Sequence, residues 1–543
     1  MTTDTPTAAG TAAGPREWAG LAVLALPTVL LALDLSVLYL AAPHLSADLG
    51  ATSTEQLWIL DIYGFMIAGF LVTMGALGDR FGRRRLLLTG AVAFAAASVA
   101  AAYAQSPLML IVTRALLGIA GATLMPSTLA LIGTMFRDAR QRATAVAVWM
   151  TSFLAGTALG PVAGGLLLEH YWWGSVFLMG VPVMALLLVT GPLLLPEHRA
   201  AGGGRPDAAS VVLSLLAMIA VVWGVKELAK EGPAAAPAAA LAAGAAAGAL
   251  FVRRQRRLAD PLLDLRLFRT GAFTAALVLI LLAVLTSGGM LLFLTQYLQL
   301  VQGHSPLAAG LLMLPATVAM VGGSLLAPAA ARRFGPGPVV AAGLGVTAAG
   351  YLVAVFLDGT GGPVLAVVAL ALSWVGLAPA LVLGTDLVLG TAPAEKAGSA
   401  SSMSETASEL GVGLGVALLG TLGTAVYRAR MADVELPGVT GEAAGRARDT
   451  LPGALKTAQA LGGEAGSALA EGARAAFTSG LNAAAGVSAA MVTVLALVAV
   501  RMLRGVRPSG EEAGAGEGSG AVTGPGDAGS RKDGAAAAAS ADR

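Results

Sequence analysis

Five acidic residues lie in segments that are otherwise apolar enough to span a membrane: Asp34, Asp61, Asp386, Glu405 and Glu409. A carboxylate at bilayer depth costs about 2.5–3.5 kcal/mol on insertion scales, so such groups usually bind a cation or carry protons. Glu405 and Glu409 are one helical turn apart and share a face. Asp386, near a segment end, is the weakest candidate, because its depth could make it interfacial.

Buried carboxylates favour their protonated form, whereas a bound cation favours the ionised form. A proton and a cationic ligand would therefore compete for these five groups. For any single acid the alternative is a hydrogen-bonded tie between helices, but five such ties together are a poorer explanation.

The composition is that of a helical membrane protein. The 543 residues are 56% hydrophobic and only 12% charged, whereas soluble proteins are about 25% charged. Cysteine is absent, which excludes disulfides and thiolate sites. The four histidines are scattered, and no Gly-x4-Gly-Lys-Ser/Thr loop occurs. We therefore expect no enzyme, no metal, no cofactor, no ATP-driven pump and no nucleic-acid partner.

Apolar segments of about 20 residues recur, and each is long enough to cross a hydrocarbon core of roughly 30 Å. We predict about fourteen spanning helices, at 17–42, 54–78, 86–105, 108–132, 142–168, 172–195, 209–228, 233–252, 271–301, 307–330, 337–357, 362–391, 397–425 and 481–504. Arginine and lysine concentrate in alternate loops, which predicts that both termini are cytosolic.

The predicted helices divide into two groups of six around a central hairpin, an arrangement that suits a transporter built from repeats. The predicted regions are a disordered cytosolic N-terminus (1–16), a first six-helix bundle (17–196), an inserted hairpin (197–252), a basic cytosolic linker (253–270), a second six-helix bundle (271–505) with a long extracellular loop (426–480), and a disordered cytosolic tail (506–543).

Arg114 is the one arginine well inside a predicted span, so it must be paired or hydrated. Two roles remain open for it: a structural tie to neighbouring carbonyls, or a charge that tunes a proton-carrying acid. Aromatic rings could stack on a lipophilic cation, although each is more often packing. The candidate lining residues are Trp58, Tyr63, Trp149, Phe293, Gln296 and Tyr297.

Two glycine-rich stretches stand out by their spacing. The first follows the second span and contains Gly75, Gly78, Asp79, Arg80, Gly82, Arg83 and Arg84. Its glycines permit a tight turn, and Asp79 could pair with an arginine to hold the cytosolic side shut. The second contains Gly156, Gly160, Pro161, Gly164 and Gly165 in the fifth span. Its four-residue spacing allows close helix packing, and packing is the usual reason for such a pattern.

These stretches, with the Leu33–Pro43 and Leu110–Gly121 segments, closely resemble motifs of the major facilitator superfamily. The resemblance is strongest to its fourteen-helix drug:proton antiporters of the quaternary-ammonium, antiseptic-resistance type. It implies an all-α major facilitator fold, a cytosolic gate at the first glycine stretch, and a role in antiport for the second. It also implies a monomer in the bacterial cytoplasmic membrane that exports lipophilic, often cationic compounds by using the proton-motive force.

The sequence departs from that type in two places. Exporters of this type that accept divalent cations carry an extra acid in the tenth span, and the matching stretch 315–320 has none. Ser404 stands where one of two adjacent acids is expected. Two other functions remain open: a dedicated exporter of one natural product, and a proton-coupled importer.

Overall fold

The computed structural model describes residues 13–197, 207–231, 234–258, 261, 263, 265–359, 361–391, 397–434 and 439–502. Most of the N-terminus and the tail predicted to be disordered lie outside these residues. Within them the chain forms seventeen α-helices. They are α1 Pro15–Leu49, α2 Ser53–Phe81, α3 Arg83–Ala102, α4 Pro107–Met135, α5 Ala139–His170, α6 Ser175–Leu178, α7 Gly180–Leu194, α8 Ala208–Glu231, α9 Ala235–Gln255, α10 Gly271–Gln296, α11 Pro306–Phe334, α12 Pro336–Val355, α13 Val364–Thr391, α14 Ala397–Ala432, α15 Gly441–Asp449, α16 Leu451–Leu461 and α17 Gly463–Met502.

Thirteen of the described helical segments are long and apolar enough to cross a membrane. Helix α2, with 29 residues, corresponds to the one further predicted span. The sixth span is α6 and α7 together, with Met179 between them. The tenth helix continues into a π-helical turn, Tyr297–Val301. The predicted all-helical membrane fold is confirmed.

The helices pack as two groups of six with a hairpin beside them. In the first group α1 packs on α5, and α4 packs on α2 and α3. In the second group α10 packs on α14, and α12 packs on α13 and α17. Helices α2 and α5 of the first group meet α14 and α11 of the second. The hairpin helices α8 and α9 pack on each other, and α8 also contacts α2 and α14.

Side chains tie the base of the hairpin together. Arg254 donates hydrogen bonds of 2.6 and 2.8 Å to the two carboxylate oxygens of Asp207, just before α8. These bonds lower the pKa of Asp207 to about 2. Gln255 donates to Ser210 across the same pair of helices. The hairpin is thus a defined unit, held together at this end by side-chain hydrogen bonds.

The segment expected to be a long loop, 426–480, is instead mostly helical. Helix α14 continues to Ala432, α15 and α16 follow, and α17 begins at Gly463. The sequence predicted a loop here because these residues are too polar and too rich in glycine for a membrane span. That prediction was wrong, because a segment that does not span the membrane can still form helices. Helices α15 and α16 are short and amphipathic, whereas α14 and α17 extend beyond the apolar part of their spans.

Candidate functional site

Arg114 on α4 reaches the carboxylate of Asp34 on α1. Its Nη1 lies 2.7 Å from Asp34 Oδ2, and its Nε donates to the carbonyl oxygen of Ile59 at 3.3 Å. The guanidinium also lies over the Tyr63 ring, 4.3 Å from the ring centroid. The Arg114 side chain is only 2% exposed. A carboxylate, a carbonyl and a ring therefore compensate this buried cation together, and the contacts expected for both of its predicted roles occur.

Asp61 on α2 has a partner that lies on the inserted hairpin. Lys226 Nζ, on α8, is 2.7 Å from Asp61 Oδ2, and the side chains are 1% and 0% exposed. The ammonium also lies 4.0 Å from the centroid of the Trp58 ring. The second carboxylate oxygen, Oδ1, has no hydrogen-bond partner among the described residues. Asp61 is thus neutralised from one side only.

Glu409 on α14, unlike Asp34 and Asp61, has no basic partner in the contacts described. The residue is 7% exposed, and its Oε2 has no hydrogen-bond partner within the described part of the chain. A Cβ added at Gly64 would lie 3.4 Å from that oxygen, so α2 passes close to it. A buried carboxylate without compensation is costly. Glu409 therefore keeps a buried carboxylate oxygen that no donor compensates within the described residues.

These groups meet at a small cavity where the two helix groups join. Asp61, Tyr63, Arg114 and Glu409 line it, with Tyr39 from α1. Its volume is about 20 Å³, which is enough for roughly one water molecule. We call Asp34, Arg114, Asp61, Lys226 and Glu409 the central charge cluster.

The other predicted lining residues lie apart from the cluster. Trp149 donates to Thr128 within the first helix group, at 3.2 Å. Phe293 and Gln296 line a different cavity of about 40 Å³, beside Asp449. Tyr297 donates to the carbonyl of Asp358 in the α12–α13 connection. Trp149 and Tyr297 thus make local contacts, whereas Phe293 and Gln296 line a cavity other than that of the cluster.

Two predicted acids also lie outside the cluster. Glu405 is partly buried one turn before Glu409, and Asp386 is exposed near the end of α13. Thr385, next to Asp386, is within hydrogen-bond distance of Ser404 Oγ, at 3.3 Å. The central charge cluster as defined therefore contains three of the five predicted acids, Asp34, Asp61 and Glu409, and Glu405 lies one helical turn from it.

Comparison with known proteins decides the family. The model of the Major Facilitator Superfamily matches residues 24–416. The chain belongs to the major facilitator superfamily. It is 45% identical to the multidrug efflux pump LfrA of Mycolicibacterium smegmatis, over 88% of this chain and 93% of that protein.

Two further relatives and a solved structure agree. The chain is 34% identical to the methyl viologen resistance protein SmvA of Salmonella typhimurium, over 85% of this chain and 93% of that protein. It is 35% identical to the tetracenomycin C resistance and export protein of Streptomyces glaucescens, over 86% and 88%. A bacterial homolog of the human lysosomal transporter Spinster, solved inward-facing and unoccupied, matches with a TM-score of 0.64 at 16% identity. That match covers 91% of this chain and 99% of the other.

The first glycine-rich stretch, which we call the gate motif after the resemblance, runs from the end of α2 through Gly82 into the start of α3. Gly82 has φ of 110°, and a Cβ there would lie 2.3 Å from Glu197 Oε1. The Nε atoms of Arg84 and Arg85 lie 3.6 and 3.7 Å from Glu197 Oε2. The side chain of Asp79, predicted to pair here, lies outside the described residues. Glu197, after α7, is an acidic partner of this basic turn that sequence reasoning missed.

The other members of the gate motif differ in their surroundings. A Cβ at Gly78 would meet the Arg83 side chain at 2.9 Å, whereas nothing lies within 4 Å of one at Gly75. Arg80 is exposed and lies over the Phe81 ring, 5.4 Å from its centroid. Only part of the motif therefore needs glycine for close approach.

The glycines of the second glycine-rich stretch, which we call the antiporter motif after the resemblance, make two sets of contacts from α5. Cβ atoms at Gly156, Gly160 and Gly164 would lie 2.5 Å from Val29 O, 1.9 Å from Ser36 Oγ and 2.7 Å from Val37 Cγ1, all on α1. A Cβ at Gly165 would instead lie 2.6 Å from Leu307 Cα on α11, and Pro161 O would be 2.2 Å from a Cβ at Gly310. The motif therefore packs α5 within its own group and against the other one.

Proposed function

We propose that this chain is a proton-coupled antiporter that exports lipophilic, often cationic compounds across the bacterial cytoplasmic membrane. The observation that carries the proposal is Glu409, a buried carboxylate without a hydrogen-bond partner for Oε2 among the described residues, at the junction of the two helix groups. The relatives named for multidrug efflux and methyl viologen resistance support a drug cargo.

The chemistry of coupling is competition at the central charge cluster. Either a cation or a proton that reaches Glu409 and Asp61 compensates their negative charge. Binding of the cation and the proton at the same time is unfavourable. Export is then driven by proton entry, which supplies about 2.3 kcal/mol per charge for each 100 mV of membrane potential. The protein acts as a monomer, needs no cofactor and changes no bond of its cargo.

The contacts between the helix groups support an inward-facing state. Gln299 on the π-helical turn donates to Leu40 O on α1, and Ser53 at the start of α2 donates to Asp449 on α15. A Cβ at Gly165 would touch Leu307 at the same end of the molecule. With both termini cytosolic, this closed end is the extracellular one. The solved relative named as inward-facing has the same fold.

Efflux of a fluorescent cation tests the proposal. Cells that lack their own pumps and express the wild type should accumulate less ethidium than control cells, and Glu409→Gln should abolish the difference. Glu464→Gln, at an exposed position of α17, is the matched control and should behave as wild type. Full efflux by Glu409→Gln at normal expression would contradict the assigned role.

The tetracenomycin relative favours a second candidate, a dedicated exporter of one natural product. A panel of unrelated cations and aromatic antibiotics in the same cells separates the two, because a dedicated exporter protects against one chemical class only. Acidification of the side that receives cargo would instead indicate a symporter, which is the remaining alternative, because a symporter delivers the proton together with the cargo.

A further inference from the structure

The inserted hairpin lies against the faces of α2 and α14 that carry the acids. Val222 on α8 is buried with Phe65 of α2 and Ala417 of α14 in one apolar cluster. A Cβ at Gly69 would lie 2.4 Å from Leu215 Cδ2, so α8 and α2 are in close contact further along. This packing places one positive charge, Lys226, in a buried position beside α2.

The surroundings of the Lys226 ammonium are those that a lipophilic cation requires. Asp61 supplies a carboxylate at 2.7 Å, and Trp58 supplies an aromatic face at 4.0 Å. A cation over an indole ring beside a carboxylate is a general mode of ammonium recognition. The ammonium group of Lys226, which is part of the protein, therefore occupies a cation-binding site.

An exchange of Lys226 for another cation is energetically accessible. The attraction within a buried ion pair is largely offset by the desolvation of both charges, so the pair adds little net stability. Breaking the pair without replacement is strongly unfavourable, because Asp61 would remain buried and uncompensated. A cargo cation that enters from the cavity beside Asp61 and Glu409 supplies the replacement.

We propose that Lys226 is a tethered competitor for cationic cargo at Asp61. It neutralises Asp61 when the transporter is empty and is displaced when the cargo binds. Lys226 is thus a specificity-determining residue: it sets the affinity for cations while leaving uncharged cargo unaffected. This inference rests on the proposed function, because it assumes that a cation is the cargo.

Binding of tetraphenylphosphonium to the purified full-length protein tests the inference. A competitor that occupies the site for nine-tenths of the time weakens apparent binding about tenfold, and its removal restores that factor. Lys226→Met should therefore bind the probe about tenfold more tightly than the wild type. The gain should vanish in Asp61→Asn/Lys226→Met. Lys456→Met, at an exposed position of α16, is the matched control and should bind as wild type.

Unchanged or weaker binding by folded Lys226→Met would overturn the inference, and so would a gain that persists without Asp61. A wild type that binds no tetraphenylphosphonium would contradict the cationic cargo of the proposed function, and the inference with it. If Lys226→Met does not fold, reductive methylation of the wild type decides instead. The probe should speed methylation of Lys226, as read by mass spectrometry of its peptide, and an unchanged or slower rate would overturn the inference.

Discussion

At the residue scale, the arrangement gives two of the three central acids a basic partner and leaves the third without one in the described contacts. Asp34 has Arg114, Asp61 has Lys226, and Glu409 has an oxygen without a partner. Of the three, Glu409 is therefore the carboxylate whose charge no basic side chain compensates in the described contacts. A coupled transporter requires such an uncompensated carboxylate, to which either a proton or a cation can bind.

Removing one partner of the Asp34–Arg114 pair should destabilise the protein. The loss of one charge from a buried pair costs about 3–5 kcal/mol, and Asp34, at 13% side-chain exposure, should fall at the lower end. Asp34→Asn and Arg114→Gln should each lower the apparent melting temperature in detergent, and the double variant should recover part of the loss. Arg253→Ala, at an exposed position, is the control. Single variants that melt with the wild type would contradict the pairing.

The sequence identified Asp34, Asp61, Glu409 and Arg114, because charges in apolar spans are conspicuous without any structure. It did not identify their partners. Lys226 stands near the end of a predicted span, where a lysine ordinarily extends towards the interface. Its pairing depends on a contact between residues 165 positions apart, and no local pattern encodes that contact.

At the element scale, α5 is held by close approach rather than by large side chains. Its glycines let the backbone of α1 approach on one side and that of α11 on another. The sequence predicted this packing from the four-residue spacing. It did not predict that Gly165, one residue off the stripe, contacts the other helix group.

Gly156→Ala should therefore destabilise the protein, because the new methyl group would lie 2.5 Å from the Val29 carbonyl oxygen, which is backbone and cannot move aside. The cost should be about 1–3 kcal/mol, as for other overpacked sites. Gly133→Ala on α4, with nothing within 4 Å of its Cβ, should be neutral or stabilising because alanine has the higher helix propensity. Thermal melting of both variants in detergent compares them, and equal effects would contradict the packing.

At the scale of the whole molecule, the fold was predictable and its conformational state was not. The membrane spans and the inserted hairpin follow from the hydropathy of the sequence, and the family follows from its motifs. The closed end depends on specific polar contacts: Asp449 on α15 accepts hydrogen bonds from Ser53 and from Arg428 on α14. Asp449 lies in the segment predicted to be a loop, so no sequence pattern indicated that these contacts would form.

Asp449→Asn should weaken the closed end and favour the opposite state. Because the chain has no cysteine, Thr424→Cys provides a single reporter in the cavity beside Asp449. Its labelling by a membrane-impermeant thiol reagent added outside intact cells should rise several-fold with Asp449→Asn. Glu442→Gln, in the exposed pair with Arg446 on the same helix, should leave labelling unchanged. Equal labelling in all three backgrounds would contradict the closure.

The central claim is that a proton and a cationic cargo exclude one another at Glu409. The most direct measurement is the pH change when tetraphenylphosphonium is added to the purified protein in a weakly buffered solution. The wild type should release protons on binding, and Glu409→Gln should bind the probe with little or no release. Binding without any pH change in the wild type, or undiminished release from Glu409→Gln, would contradict the account.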